Sequence, residues 1–268
     1  MRIFKFFLAL ILIAGLLAYY AFKIEPYRLV TEEIELESPY VMDGATVAVI
    51  SDIHLKEEFG PKYLRKAVNK VNELKPDVVL FLGDLFDNYE TWQGDTNEVI
   101  TALANVKADT KLCVYGNHDY GGKAQWAYSE VMEKAGFTIL KNAIFETDLG
   151  ITFYGADDYT FGERGERVSL GETGYNLAFA HVPASVENIE NYDIFIAGHS
   201  HGGQVRLPFV EPFWVPSGTL EYYGGMYENK DNSKIYVSRG IGTSIMNVRF
   251  GAAPEITICK FSKKTVEN

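Results

Sequence analysis

An α/β fold is the prediction, and three observations make it. Between residues 46 and 119, continuous apolar β-rich runs alternate with segments whose apolar residues recur at helical spacing. Beyond residue 150 the chain becomes a succession of short β-rich runs. The polar residues that chemistry uses fall directly after these runs, where the turns of an open α/β sheet converge.

The elements follow in chain order. Arg2 and Lys5 precede Phe6 to Phe22, an apolar stretch without charge. At ~1.5 Å per residue it spans about 25 Å, near the lower limit for crossing a bilayer. No small-x-small site closes it, so an uncleaved signal anchor over residues 1–28 is expected, with a cleaved secretory signal as the alternative. Tyr19, Tyr20 and Lys23 would sit at the far interface. The remainder, 29–268, is read as one domain on the outer side of a single-pass cell-membrane protein. Pro26 ends the helix, and Thr31 to Glu37 alternates apolar with acidic residues as an edge strand. Thr46 to Ile50 is a strand buried on both faces. Pro61 opens a helix with Leu64, Ala67, Val68, Val71 and Leu74 on one stripe. Asp77 to Leu82 is the next strand, Asn97 to Val106 a helix, and Lys111 to Tyr115 a third strand. Strands are then expected at Ile151–Tyr154, Leu177–Ala180, Ile194–Ala197, Val205–Leu207, Lys234–Val237 and Glu255–Phe261. Asp157 to Tyr175, rich in Gly, Glu and Arg, is expected as a mobile surface loop.

Composition narrows the function. At 47% hydrophobic and 23% charged the chain is ordinary for a globular protein. A formal charge of -11 and the lack of any basic run argue against nucleic acid as a partner. An anionic substrate would need a local attraction, which metal cations supply. Cys113 and Cys259 both lie in apolar runs and read as buried hydrophobes rather than a bridge.

The five histidines fall in short polar segments that each follow a strand. These are Asp52-Ile53-His54, Asn117-His118-Asp119, His181 and Gly198-His199-Ser200-His201, with Gly83-Asp84 beside them. Histidine is the commonest metal ligand and a proton donor near neutral pH. Taken singly, each fragment is weak evidence. In this order and spacing they resemble the calcineurin-like metallophosphoesterase superfamily, over roughly residues 45 to 205. The Gly202-Gly203-Gln204 continuation and the anchor look like its bacterial, membrane-anchored YkuE-like branch.

The resemblance implies a calcineurin-like metallophosphoesterase fold, two packed mixed β-sheets flanked by helices in an α/β/β/α sandwich. It implies two divalent metal ions (Mn²⁺, Zn²⁺ or Fe²⁺) that together activate a bridging hydroxide against a phosphodiester, pyrophosphate or monoester. Asp52, His54 and His201 would hold one ion and Asn117, His181 and His199 the other, with Asp84 bridging. His118 would be the proton donor, its imidazole held by Asp119. Purple acid phosphatases carry an iron-bound tyrosine three residues after the bridging aspartate. Asp87 stands there instead, so a purple Fe(III) centre is not expected. The ligand types suit the substrate: two cations bring four positive charges and only Asp52 and Asp84 subtract from them, which leaves attraction for phosphate.

Other residues bear on specificity. Phe209 to Tyr227 holds Phe209, Phe213, Trp214, Tyr222, Tyr223 and Tyr227. It reads either as an apolar wall for a lipid or nucleobase, or as a loop with its aromatics packed inward. The second is favoured because aromatics dominate cores. Arg239 reads as a phosphate ligand or a salt-bridged arginine, and Asn88, Tyr89 and Trp92 as part of the rim. The expected protein is a monomeric, membrane-tethered phosphoesterase acting on an extracytoplasmic or membrane-surface phosphoester, with lipid and cell-wall phosphoesters as candidates. The rival reading is a non-catalytic metal-binding scaffold of the same fold, which typically lacks ligands that this chain retains.

Overall fold

The computed structural model describes residues 2–163, 165–229 and 232–263. Its first sheet has the order β1-β14-β2-β3-β4-β5, with β1 Val30–Glu37, β2 Thr46–Ile50, β3 Val78–Phe81, β4 Thr110–Cys113, β5 Thr138–Ile139 and β14 Glu255–Ser262. Strands β2 to β5 run parallel, and β14 is antiparallel to β2. The second sheet has the order β12-β13-β11-β9-β7-β6, with β6 Ala143–Glu146, β7 Ile151–Gly155, β9 Tyr175–Phe179, β11 Ile194–Ala197, β12 Gly225–Glu228 and β13 Lys234–Val237. Its four central strands are parallel and both edges antiparallel. A two-stranded ribbon pairs β8 Val168–Ser169 with β10 Ile189–Glu190.

Strand periodicity of two builds the layers. In β2, Val47 and Val49 face the second sheet and meet Phe153, Leu177, Phe179 and Ile196, while Ala48 and Ile50 face the helices. Val78 and Leu80 of β3 repeat the first set, Val79 and Phe81 the second. The helical layer comprises α2 Pro61–Leu74, α3 Thr96–Ala104 and α5 Gln125–Lys134, with the single turn α4 Asn117–Tyr120. Helix α2 presents the stripe Leu64, Ala67, Val68 and Val71. On the outer face of the second sheet the cover is thin, a 3-10 turn Pro183–Asn188 and the β8/β10 ribbon. The result is two packed mixed sheets flanked by helices, the fold expected above, with the second helical layer reduced to a 3-10 turn and a ribbon.

Some local expectations are corrected. Val205–Leu207 forms no strand; Val205 makes an isolated bridge to Phe250. The segment after Asp157 is tied down at its start, because the Asp157 and Asp158 carboxylates accept from the main-chain N–H of Asp158, Thr160, Phe161 and Glu163. In the 209–227 segment, Tyr222 and Tyr227 pack on the second sheet, but Phe209, Phe213 and Trp214 are exposed. Inward packing therefore holds for only part of the segment. The N-terminal helix α1 Arg2–Tyr19 buries none of its side chains. It continues through a π turn and a 3-10 turn to Tyr27, where Ala21, Glu25 and Pro26 become buried.

Candidate metal centre

Parallel strands deliver the site. From the first sheet, β2 runs into Asp52 and His54, β3 into Asp84, and β4 into Asn117, His118 and Asp119. From the second, β9 runs into His181 and β11 into His199 and His201. The adjoining carboxyl ends of two sheets thus furnish one cluster. Glycines clear the ground for it. A Cβ on Gly198 would lie 2.2 Å from Ser51 Oγ and 2.5 Å from Asp52 Oδ2. A Cβ on Gly116 would lie 2.2 Å from Asp84 Oδ1. Asp52, His54, Asp84, His199 and His201 all have positive φ between 47° and 67°. Non-glycine residues adopt that conformation at a cost, which concentrates at functional sites.

Two groups of side chains converge. Asp52, His54 and His201 form one; Asp84, His181 and His199 form the other. In the first, His54 Nε2 is 3.1 Å from His201 Nε2, 3.8 Å from Asp52 Oδ1 and 3.4 Å from Asp84 Oδ2. Asp52 Oδ1 is buried with no hydrogen-bond partner. In the second, His181 Nε2 is 3.2 Å from Asp84 Oδ2, 3.1 Å from Asn117 Oδ1 and 3.2 Å from His199 Nδ1. The same Asp84 oxygen therefore approaches both groups.

Tautomers decide what such a cluster wants. A carbonyl oxygen only accepts, so His181 Nδ1, 2.9 Å from Leu82 O, must carry a proton. His199 Nε2, 2.9 Å from Ser217 O, must carry one as well. When neutral, both imidazoles then turn lone pairs toward each other, facing the Asn117 and Asp84 oxygens. Four acceptors pointing at one spot in a dry interior demand a cation, and imidazole held from behind by a carbonyl is the usual support of a metal ligand. The donor set fits divalent metal ions.

The electrostatics agree. Burial alone would lower His181, but Asp84, aided by Asp52 and Asp158, overrides it and raises the imidazole to about 10. At His54 burial is likewise overridden, by Asp52, Asp87 and Asp84, and the value rises to about 9. Burial and the neighbouring His181 lower His199 to about 4. Burial would raise Asp52 and Asp84, yet the surrounding histidines hold both below the usual carboxylate range. The carboxylates draw positive charge in, and without metal only protons supply it.

His118 and Asp119 need a correction. The Asp119 carboxylate accepts from the main-chain N–H of Asp84, Leu85 and Gly116 at 2.7, 3.0 and 2.8 Å. It braces the loop that carries Asp84, a buried position where three N–H groups need an acceptor. The His118 imidazole is held instead by Asp87, whose carbonyl accepts from Nδ1 at 2.5 Å. His118 is half-buried, with its ring edge-on to His54 at 4.7 Å. Asp87 also turns its carboxylate to His54 Nδ1 at 3.2 Å, close but not aligned as a hydrogen bond. The grouping of His54, Asp87 and His118 thus reads as support for two imidazoles. Its signal in the sequence was position alone, three residues after Asp84.

Two further residues escaped sequence reading. Arg249 is fully buried and donates to the carbonyls of Gly242, Ala252 and Arg239 at 2.6, 2.8 and 2.8 Å, with His201 O at 3.4 Å. It stitches together the turns behind His201. Ser51 Oγ donates to Asp52 Oδ2 at 2.5 Å. Arg239 is salt-bridged to Glu255 and Glu32, the structural alternative. Beside Asp87 opens a cleft of about 500 Å³ lined by Lys56, Asn88 and Trp92 among others.

Comparison with known proteins places the chain. Residues 45–203 match the calcineurin-like phosphoesterase family. The metallophosphoesterase YkuE of Bacillus subtilis is 34% identical over 252 residues, covering 89% of this chain and 87% of its own length. The phosphodiesterase YaeI of Escherichia coli is 30% identical over 225 residues, 79% of this chain and 80% of its own. A transmembrane protein with a metallophosphoesterase domain from Danio rerio is 28% identical over 93% of this chain, which matches 61% of that protein. A solved dimetal phosphatase from Danio rerio superposes with a TM-score of 0.43 at 14% identity, over 75% of this chain and 88% of its own. The chain belongs to the calcineurin-like metallophosphoesterases, hydrolases of phosphoric ester bonds, and within them to the branch of YkuE.

Proposed function

We propose that this protein hydrolyses a phosphoester at the bilayer surface with two divalent ions, Asp52, His54 and His201 holding one and Asn117, His181 and His199 the other. Asp84 bridges them. One observation carries the reading: two acceptor-lined groups share the single oxygen Asp84 Oδ2. Bound cations would polarise the phosphoryl oxygens and bring the pKa of a water near neutrality. His118 acts from Nε2, since its Nδ1 proton is committed to Asp87 O. The proton it gives to the leaving oxygen is the one on Nε2. Help with a poor leaving group favours diesters and pyrophosphates over simple monoesters, and the YaeI relative is named a phosphodiesterase. Mixed imidazole and oxygen ligation without thiolate suits Mn²⁺, Zn²⁺ or Fe²⁺. Helix α1 acts as a single-pass anchor with the domain outside, which favours a lipid or cell-wall phosphoester as substrate. The named transmembrane relative supports anchoring.

The test uses the full chain in detergent, stripped with chelator and reloaded with Mn²⁺ or Zn²⁺. Release from bis-nitrophenyl phosphate should return with metal, exceed that from nitrophenyl phosphate, and be lost in Asp84→Asn with reduced metal content. Metal-bound protein that cleaves neither ester would establish the scaffold reading instead.

A further inference from the structure

The apolar helix enters the folded domain without a hinge. The Arg249 N–H donates to Ala21 O at 3.0 Å, and the Ala252 N–H to the Glu25 carboxylate at 2.9 Å. Asn247 donates to the Tyr27 hydroxyl at 2.7 Å, Tyr27 stacks on Phe59, and Tyr20 meets Phe250 edge-on. These contacts fix the direction in which α1 leaves the domain.

Beside that exit lies a cavity of about 700 Å³. Tyr20 and Arg28 line it together with Arg206, Leu207, Phe209 and Val210. The loop from Leu207 to Trp214 carries a single charge, Glu211, and two prolines. Phe209 is wholly exposed, Phe213 72% exposed and Trp214 56% exposed. Soluble surfaces usually show such residues singly; several on one short loop mark a contact surface, and the apolar helix beside the loop points to lipid. Aromatics, with basic residues nearby, are the side chains of membrane–water interfaces.

We propose that the 207–214 loop is a second membrane contact, seating Phe209, Phe213 and Trp214 in the interfacial layer of the bilayer that α1 crosses. This rests on the anchor reading above. The occupant is lipid, because the apolar loop shares its cavity with the end of the apolar helix and with Arg28 and Arg206, placed for lipid phosphates. The loop also leads from the metal centre and back to it: His199 bonds Ser217 O, and Ser200 Oγ donates to Tyr223 O at 3.0 Å. Seating it holds the site at headgroup level.

Cys113 and Cys259 are both buried, so a single introduced cysteine can be spin-labelled. The full chain carrying Phe209→Cys, Phe213→Cys or, as control, Trp126→Cys is reconstituted into phosphatidylcholine–phosphatidylglycerol vesicles. Trp126 is the exposed aromatic of α5. The chain should float with the vesicles. Labels at 209 and 213 should favour collision with oxygen over a water-soluble nickel chelate by roughly threefold more than the label at 126. If the chain floats and all three labels are equally open to nickel, the loop proposal falls and the anchor stands. Protection at 209 and 213 from both reagents would mean a protein partner and overturn it too. If the chain does not float, anchor and loop proposals fall together.

Discussion

His118 differs from the other site histidines in being half-buried; its Nδ1 proton, like that of His181, is committed to a backbone carbonyl. A group that moves protons rather than holding metal should be separable from the ligands. His118→Asn is expected to lower kcat by about 10²–10⁴-fold while elemental analysis finds the metal content unchanged. The remaining histidines set a pH signature in the metal-free protein. His54 and His181 are raised to about 9 and 10, above the ordinary value near 6.5. Their contribution to stability is fully present below pH 6.5 and is lost as pH rises through 9 to 10. His199 is lowered to about 4, so its contribution is present above 6.5 and lost as pH falls toward 4. Urea midpoints in chelator should therefore peak near pH 6.5. With saturating Mn²⁺ the alkaline decline should flatten, because the ion takes the place of the two protons. A midpoint that rises steadily to pH 10 in chelator would contradict this account.

At the scale of elements, the site depends on strand ends that pass within van der Waals contact of one another. Gly198 follows β11 where any Cβ would overlap Ser51 and Asp52, whereas a Cβ on Gly171 meets nothing within 4 Å. Gly198→Ala should destabilise by about 2 kcal/mol or more and weaken metal binding, and Gly171→Ala should do neither. Paired denaturation and metal titrations check this. These strand ends were legible in the sequence because apolar β-runs such as Thr46–Ile50 and Ile194–Ala197 stop at polar residues, Ser51-Asp52 after the first and Gly198-His199 after the second. Legibility failed where structure depends on distant pairing. Edge strand β6, with alternate residues exposed, and the two-residue β5 have too short a pattern to stand out from a loop. Helix α5 buries Ala127, Tyr128, Val131 and Met132, a stripe interrupted by polar and charged residues that gave weak periodicity. Asp119 was misassigned, and Asp87 given no role, for a related reason. Sequence names a carboxylate, but only folding decides whether a backbone carbonyl or three N–H groups lie beside it.

Across the whole molecule, the boundary between the apolar N-terminal helix and the domain is a matter of packing. A break after residue 28 follows from Pro26 and hydropathy, but Ala21, Glu25 and Pro26 are buried against the domain. Their partners, Arg249 N–H and Ala252 N–H, lie in the loop whose Arg249 side chain gathers the carbonyls behind His201. We propose that the folded unit begins near Tyr20, so that the end of the anchor forms part of the wall behind the metal centre. A chain starting at residue 20 should keep the stability of the full protein. One starting at residue 29 loses a buried carboxylate–amide bond, a main-chain bond and the Tyr27–Phe59 stack, which together contribute about 3 kcal/mol. For a domain of this size that is a fall in Tm of ~10 °C. Calorimetry on the two truncations decides it: equal melting temperatures would put the boundary back at residue 28, and a lower one for the chain starting at residue 29, with weaker metal retention, would tie the end of the N-terminal helix to the metal centre.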